Sequence, residues 1–211
     1  MALKASVLTD DSLLSRMDQS LLRLERFFGL ISGLAVFALM FLAVYSVGGR
    51  NIFNSPVRGY VDWIEITMPL IAIMGISYTQ RDGGHIRMDI LVSKLRGRTL
   101  WAAEFITTFL VLILILLLIW GSWAHFQRSF DFAAPLWSRD STIDIKLPVW
   151  PAKLVVPVAF SVLALRLCIQ LTSYGKAVIS GTDSPVAVPM IEDVATIAAR
   201  EAAAVTGREQ M

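Results

Sequence analysis

The chain alternates between long uncharged apolar runs and short charged segments, a pattern typical of a protein that crosses a membrane several times. A helix of about 20 residues rises about 30 Å, which matches the hydrocarbon core of a bilayer. Four runs reach this length and predict transmembrane helices at about residues 27–47, 61–80, 101–124 and 149–174. We therefore predict an all-α integral membrane protein with a four-helix membrane domain over residues 27–174.

Two segments outside the spans have the apolar stripe of a surface-lying helix. Between residues 10 and 28, leucines recur at three- and four-residue spacing. This predicts an amphipathic interfacial helix in an N-terminal unit of residues 1–26, with a solvated segment as the alternative. A second interfacial helix is predicted after Gly83 and Gly84, and it carries His85, Arg87, Asp89 and Lys94. Residues 175–211 form a tail that is either disordered or a docked, alanine-rich helix.

The composition agrees with membrane insertion, and the basic residues predict its direction. The chain is 55% hydrophobic and 17% charged, whereas soluble domains carry about 25% charged residues. The N-terminal segment, the loop between the second and third spans and the tail hold 12 Lys and Arg, against 5 in the other two loops. Because basic loops stay inside, both termini are predicted to be cytoplasmic. The net charge of +2 is too small to indicate nucleic-acid binding.

No arrangement of residues indicates catalysis. The two histidines, His85 and His125, have no Ser or acid motif beside them, and the Gly83-Gly84 turn lacks the spacing and Lys-Ser/Thr ending of a phosphate loop. The one cysteine, Cys168, is interpreted as a small packing residue inside an apolar run. We expect no enzymatic activity and no cofactor in this chain.

Acidic residues at the start of the second span are the first candidate functional charges. Asp62 and Glu65 lie within about a turn and a half of its beginning, on the same predicted side as Arg50 and Arg58. Three arrangements remain open: ion pairs among these four residues, a contact between Glu65 and a basic residue of a partner protein, and solvation at the interface.

Two further charges, Glu104 and Arg166, fall inside predicted spans. Their depths are compatible with a buried ion pair between the third and fourth spans, whereas the alternative is that each side chain reaches its own interface. Few other polar groups are expected inside the bundle, and transport sites use polar groups near the midplane. The pattern therefore favours an accessory or scaffold subunit over an independent transporter.

Three short motifs resemble the small membrane subunit of tripartite ATP-independent periplasmic (TRAP) transporters. They are DWIE at residues 62–65, GGHIRMD at 83–89 and LPVWPAK at 147–153, and the resemblance covers about residues 27–171. In that family a tandem Glu-Glu is frequent where this chain has Glu65 followed by Ile66.

The resemblance implies a role in secondary active transport. It implies a multi-pass protein of the bacterial inner membrane, with a large membrane subunit and a periplasmic substrate-binding protein as partners. The large subunit would carry the substrate and ion sites and take up an organic anion, while this chain would form part of a fixed frame. The outer loop with Trp137 would touch the binding protein or simply cap the bundle. An independent small channel or exporter is the alternative function.

Overall fold

The computed structural model describes residues 13–55, 57–81, 97–181, 187, 188 and 202. In these residues the chain is helical, with isolated β-bridges but no strand. We number the α-helices along the chain and give their bounds together: α1 Leu13–Phe53, α2 Tyr60–Met74, α3 Ile76–Arg81, α4 Arg98–Ser129 and α5 Trp150–Ser180. A single 3-10 turn, Pro135–Trp137, lies between α4 and α5.

The four predicted spans are confirmed as helices that are long and apolar enough to cross a membrane. They correspond to α1, to α2 and α3 taken together, to α4 and to α5. The fourth extends beyond its predicted end at 174, because α5 continues to Ser180 and ends where Gly181 adopts a left-handed φ of 68°. Glycine adopts this conformation without steric cost, so it suits the end of a helix.

The N-terminal helix predicted before the first span is present from Leu13 onward, and it continues into that span as one helix. α1 runs without interruption over 41 residues, a length of about 60 Å. Its first half is not independent because Ser15, Asp18, Leu21 and Glu25 are buried against the bundle. The amphipathic stripe is real, but it contacts other helices of the chain.

The second span breaks at Gly75. There the N–H of Gly75 donates to the carbonyl of Ile73, so the carbonyl of Ile71 lacks its usual partner four residues ahead. The hydroxyl of Ser32 on α1 donates to this carbonyl at 3.1 Å. A backbone group exposed to an apolar surrounding is costly, and a neighbouring helix therefore satisfies the break.

The densest packing joins α4 to α5. Its centre is a buried cluster formed by Leu112 and Ile115 of α4 with Leu163, Ala164 and Leu167 of α5. A second cluster closes one end of this helix pair, where Trp101 stacks on Tyr174 with ring centroids 6.1 Å apart and the fully buried Val188 joins them. By contrast, no residue is buried in the most apolar 18-residue segment of α1.

Several sequence predictions lie outside the described residues. They are the interfacial helix with His85, Arg87, Asp89 and Lys94, the part of the N-terminal unit before residue 13, and the alternatives of disorder or a docked helix for most of the tail.

Replacing Ser32 with Ala is expected to destabilise the bundle by about 0.6 kcal/mol and by no more than about 1.7 kcal/mol, the range measured for hydrogen bonds between membrane helices. The measurement is the free energy of unfolding in mixed micelles. Ser122→Ala is the matched control, because that hydroxyl bonds only to carbonyls of its own helix. Equal effects of the two variants would contradict a role for Ser32 across helices.

Candidate functional site

The described structure has a buried group of charged side chains around Arg166. The guanidinium of Arg166 is fully buried in the middle of α5. Its Nε donates to Glu25 Oε1 at 2.8 Å and its Nη2 to Glu25 Oε2 at 2.6 Å, a two-pronged ion pair. Its Nη1 donates to Asp18. One arginine therefore connects α5 to two carboxylates of α1.

Both carboxylates lie on the apolar stripe of α1. Asp18 and Glu25 are seven residues apart, two helical turns, so they project from the same face. That face also carries Leu14, Leu21 and Phe28, which pack against α5 residues in an apolar cluster. Neither carboxylate was among the charges predicted from the sequence to be functional. Acids at the spacing of the leucines are the signal that predicts burial.

The short helix α3 completes the group. The hydroxyl of Ser77 donates to Glu25 Oε1 at 2.5 Å. Arg81 donates to Asp18 through Nη2 at 2.9 Å and Nε at 3.4 Å. We call Asp18, Glu25, Ser77, Arg81 and Arg166 the Arg166 cluster. Its two arginines and two carboxylates balance in formal charge.

An amide pair extends the Arg166 cluster by about one turn of α5. Gln80 Nε2 donates to Gln170 Oε1 at 3.0 Å, and Gln170 Nε2 lies 3.4 Å from the carbonyl oxygen of Gln80. Gln170 follows Arg166 by four residues and therefore lies on the same face of α5. The polar contacts thus join α3 to α5 at two successive levels.

The energetics of the Arg166 cluster are those of charges in a medium of low dielectric constant. A charged side chain at the centre of a spanning helix costs about 2.5–3.5 kcal/mol on insertion scales. Opposite charges and hydrogen bonds offset this cost when the geometry satisfies every group. Each charged member has an opposite charge in contact, so the arrangement fixes the positions of α1, α3 and α5. The charges of the Arg166 cluster are all paired with one another, so none is available to bind a substrate.

The predicted pair between Glu104 and Arg166 is wrong. Arg166 is held by Asp18 and Glu25, whereas Glu104 is buried near the start of α4 and is not among the contacts of Arg166. The prediction failed because it paired charged residues by their depth in the membrane and considered only those within the apolar spans. It did not consider carboxylates in the segment before the first span.

The structure gives Asp62 a different partner from the ones predicted. Asp62 is 3% exposed, and its Oδ2 accepts hydrogen bonds from the backbone N–H groups of Asp144 at 3.1 Å and Ile145 at 2.8 Å. Ile145 also packs so closely on Gly59 that a Cβ there would lie 2.6 Å from it. Asp62 therefore fastens the loop before α5 to the start of α2.

The other three predicted charges at this end are exposed. In residues 13–55 and 57–81, Arg50, Arg58 and Glu65 make no ion pair with one another or with Asp62. The predicted ion pairs among the four are therefore not formed in the described chain. Glu65 presents its carboxylate outward from α2.

The loop between α4 and α5 is closely folded around aromatic rings. Phe126, Phe130 and Trp150 contact one another, and Trp137 packs on Trp150 with centroids 6.4 Å apart. The indole N–H of Trp150 donates to the carbonyl of Leu136 at 3.0 Å. The loop therefore caps this end of the helix pair, while Trp137 remains half-exposed.

Ion pairs hold the same loop at its edges. Lys153 lies 2.7 Å from Asp140, and its hydrogen bond, followed by that from Ser129, holds the pKa of Asp140 below its ordinary value. The backbone N–H of Ala133 and then the guanidinium of Arg139 lower the pKa of Asp131 in the same way. Both carboxylates stay ionised at neutral pH, so the loop keeps these contacts.

The interpretation of Cys168 as a packing residue is wrong, because its side chain is exposed on α5. The described residues contain no group of three or more His, Cys, Asp or Glu side chains that could hold a metal ion.

Comparison with known proteins identifies the family. A family described as tripartite ATP-independent periplasmic transporters, DctQ component, matches residues 39–173, well over half of the chain. A search of curated proteins found no match.

Removing one side of the Arg166 cluster is expected to be strongly destabilising. Arg166→Gln leaves Asp18 and Glu25 buried beside a single arginine, and Glu25→Gln leaves a positive charge in excess. Each variant should lose about 3–5 kcal/mol of unfolding free energy, measured in mixed micelles.

The double variant Glu25→Gln, Arg166→Gln restores charge balance through Asp18 and Arg81. It should therefore lose less than the sum of the single losses. Glu65→Gln, on an exposed carboxylate, is the control and should leave the unfolding free energy of the isolated chain within about 0.5 kcal/mol. Additive losses would show that the two charges do not interact.

Proposed function

The chain belongs to the DctQ family, the small membrane component of tripartite ATP-independent periplasmic transporters, and we propose that it acts as a scaffold for the large transport subunit. The family assignment and the four apolar helices make it a multi-pass membrane subunit of a transporter. The scaffold role concerns what this subunit does inside the complex.

In this proposal the complex takes up an organic anion that a periplasmic binding protein delivers, and an ion gradient drives the uptake. The subunit lies in the bacterial inner membrane with both termini in the cytoplasm. The distribution of Lys and Arg, 12 against 5, supports this direction. The half-exposed Trp137 then lies on the periplasmic side, where the outer loop contacts the binding protein or caps the bundle.

The Arg166 cluster is the observation that carries the scaffold role. A frame must keep its helices in place while a neighbouring subunit moves, and separating α1 from α5 would leave buried charges without partners. The same contacts argue against a substrate site, because each guanidinium of the cluster is already bound to a carboxylate.

The exposed stripe of α1 supplies a surface for the large subunit. Its apolar residues recur at helical spacing and are all about half-exposed or more: Leu30, Leu34, Phe37, Phe41 and Val44. Helices in a membrane associate by close packing of such surfaces and by polar contacts between them. Glu65, exposed on the neighbouring α2, provides the polar contact by pairing with a basic group of the large subunit.

Deleting this subunit is expected to abolish uptake of the transported anion, because the large subunit then lacks its frame. Binding of the anion by the isolated periplasmic protein should be unchanged, as measured by calorimetry. The purified subunit alone in liposomes should carry no solute. Uptake without the subunit would contradict the scaffold role, and flux through the lone subunit would favour an independent channel.

Replacing Glu65 with Gln is expected to weaken association with the large subunit on the order of tenfold or more, because a desolvated basic group of the partner loses its counter-charge. The measurement is the amount of large subunit that copurifies in mild detergent. Asp144→Asn, at an exposed carboxylate of the outer loop, is the matched control and should not change the yield. If the Glu65 variant copurifies as much large subunit as the unchanged chain, Glu65 does not pair with a basic group of that subunit.

A further inference from the structure

An apolar groove of about 630 Å³ lies between α1 and α5, beside the face of α1 that carries the buried carboxylates. Its walls include Met17, Leu24, Leu165 and Cys168, and Arg16 is the one charged residue among the described residues that line it. Sites of this size, lined mainly by apolar side chains with a few polar groups, are typical of bound small molecules. The groove is separate from the Arg166 cluster.

The position of the groove along α5 corresponds to the edge of the hydrocarbon core. Leu165 lies about 22 Å and Thr172 about 33 Å along α5 from Trp150, compared with a core of about 30 Å. Four successive crossings make α1 and α5 antiparallel, so the first turns of α1 lie beside the last turns of α5. Arg16 is therefore at the head-group end of the groove, and Leu24 and Leu165 are at its hydrocarbon end.

Arg16 has the charge and the freedom to bind an anion there. Its side chain is exposed and makes no ion pair in the part of the chain that the structure describes. The nearest carboxylate in sequence on α1, Asp18, is committed to Arg81 and Arg166. A phosphate is a good partner for a guanidinium because it accepts two parallel hydrogen bonds.

We propose that this groove binds one anionic phospholipid, with its phosphate on Arg16 and one acyl chain along Met17, Leu24, Leu165 and Cys168. The charge of Arg16 selects the head group, and the apolar walls select the chain. Basic sites between membrane helices on the cytoplasmic side bind anionic lipids by the same chemistry. This inference does not depend on the scaffold role, because it concerns only the contact between α1 and α5.

Cys168 provides the measurement, because it is the one cysteine in the chain and lines the groove. The full-length chain is placed in nanodiscs of phosphatidylcholine with increasing phosphatidylglycerol, and the rate of labelling by an uncharged maleimide is followed. A bound acyl chain covers the thiol, so labelling should slow and the effect should saturate. Lipid retained by the protein after purification is quantified by mass spectrometry.

Arg16→Gln should require about fivefold more phosphatidylglycerol for the same protection, the contribution of one arginine near an anionic surface. Arg23→Gln removes the same charge from an exposed position on α1 that does not line the groove, and it should behave as the unchanged chain. Met17→Trp, which fills the groove, should retain less lipid although Arg16 is present.

Three results would overturn the proposal. Labelling that is the same in neutral and anionic nanodiscs would show that no anionic lipid covers Cys168, and equal effects of Arg16→Gln and Arg23→Gln would show a general surface charge instead of a site. Protection that disappears when residues 182–211 are deleted, or that requires the large subunit, would assign the groove to a protein segment.

Discussion

A buried guanidinium in a spanning helix must be neutralised, and the rest of this bundle is arranged to satisfy that requirement. Arg166 is fully buried, and two carboxylates of α1 meet it from one side while Arg81 of α3 shares one of them. Each helix of the group would carry an unpaired charge if it moved alone. The cost of that separation, several kcal/mol, explains how a chain with an otherwise exposed first span keeps this helix in position.

The break in the second span depends on the same arrangement. Because the helix stops at Gly75 and resumes as α3, Ser77 and Arg81 can approach α1. The carbonyl freed at the break is satisfied by Ser32 of α1. α1 therefore contacts both sides of the break: Ser32 bonds to α2, and Asp18 and Glu25 bond to α3. At the other end, Asp62 holds the outer loop to α2 through two backbone N–H groups, so the span is fastened near both of its ends.

These contacts lie between helices of one chain and leave distinct surfaces for other molecules. In our proposals, the exposed stripe of α1 and Glu65 contact the large subunit, and the groove beside Arg16 binds a lipid. Asp18 and Glu25 are neutralised by Arg81 and Arg166, so one helix can have a charge-balanced interior and a positive edge at Arg16. The residues of α1 that hold the bundle together thus differ from those that we propose contact other molecules.

The sequence by itself determined the number and the approximate limits of the spans, because hydrophobic length and the absence of charge decide which segments enter a bilayer. Its motifs also indicated the family that the comparison confirmed. The partners of Arg166 and Asp62 were decided only by the tertiary structure. Arg166 pairs with residues 141 and 148 positions away, and Asp62 accepts from backbone groups that no side-chain pattern reveals. The spacing of Asp18 and Glu25 on the leucine stripe indicated burial, but identifying their partner required knowing which helix packs on that face.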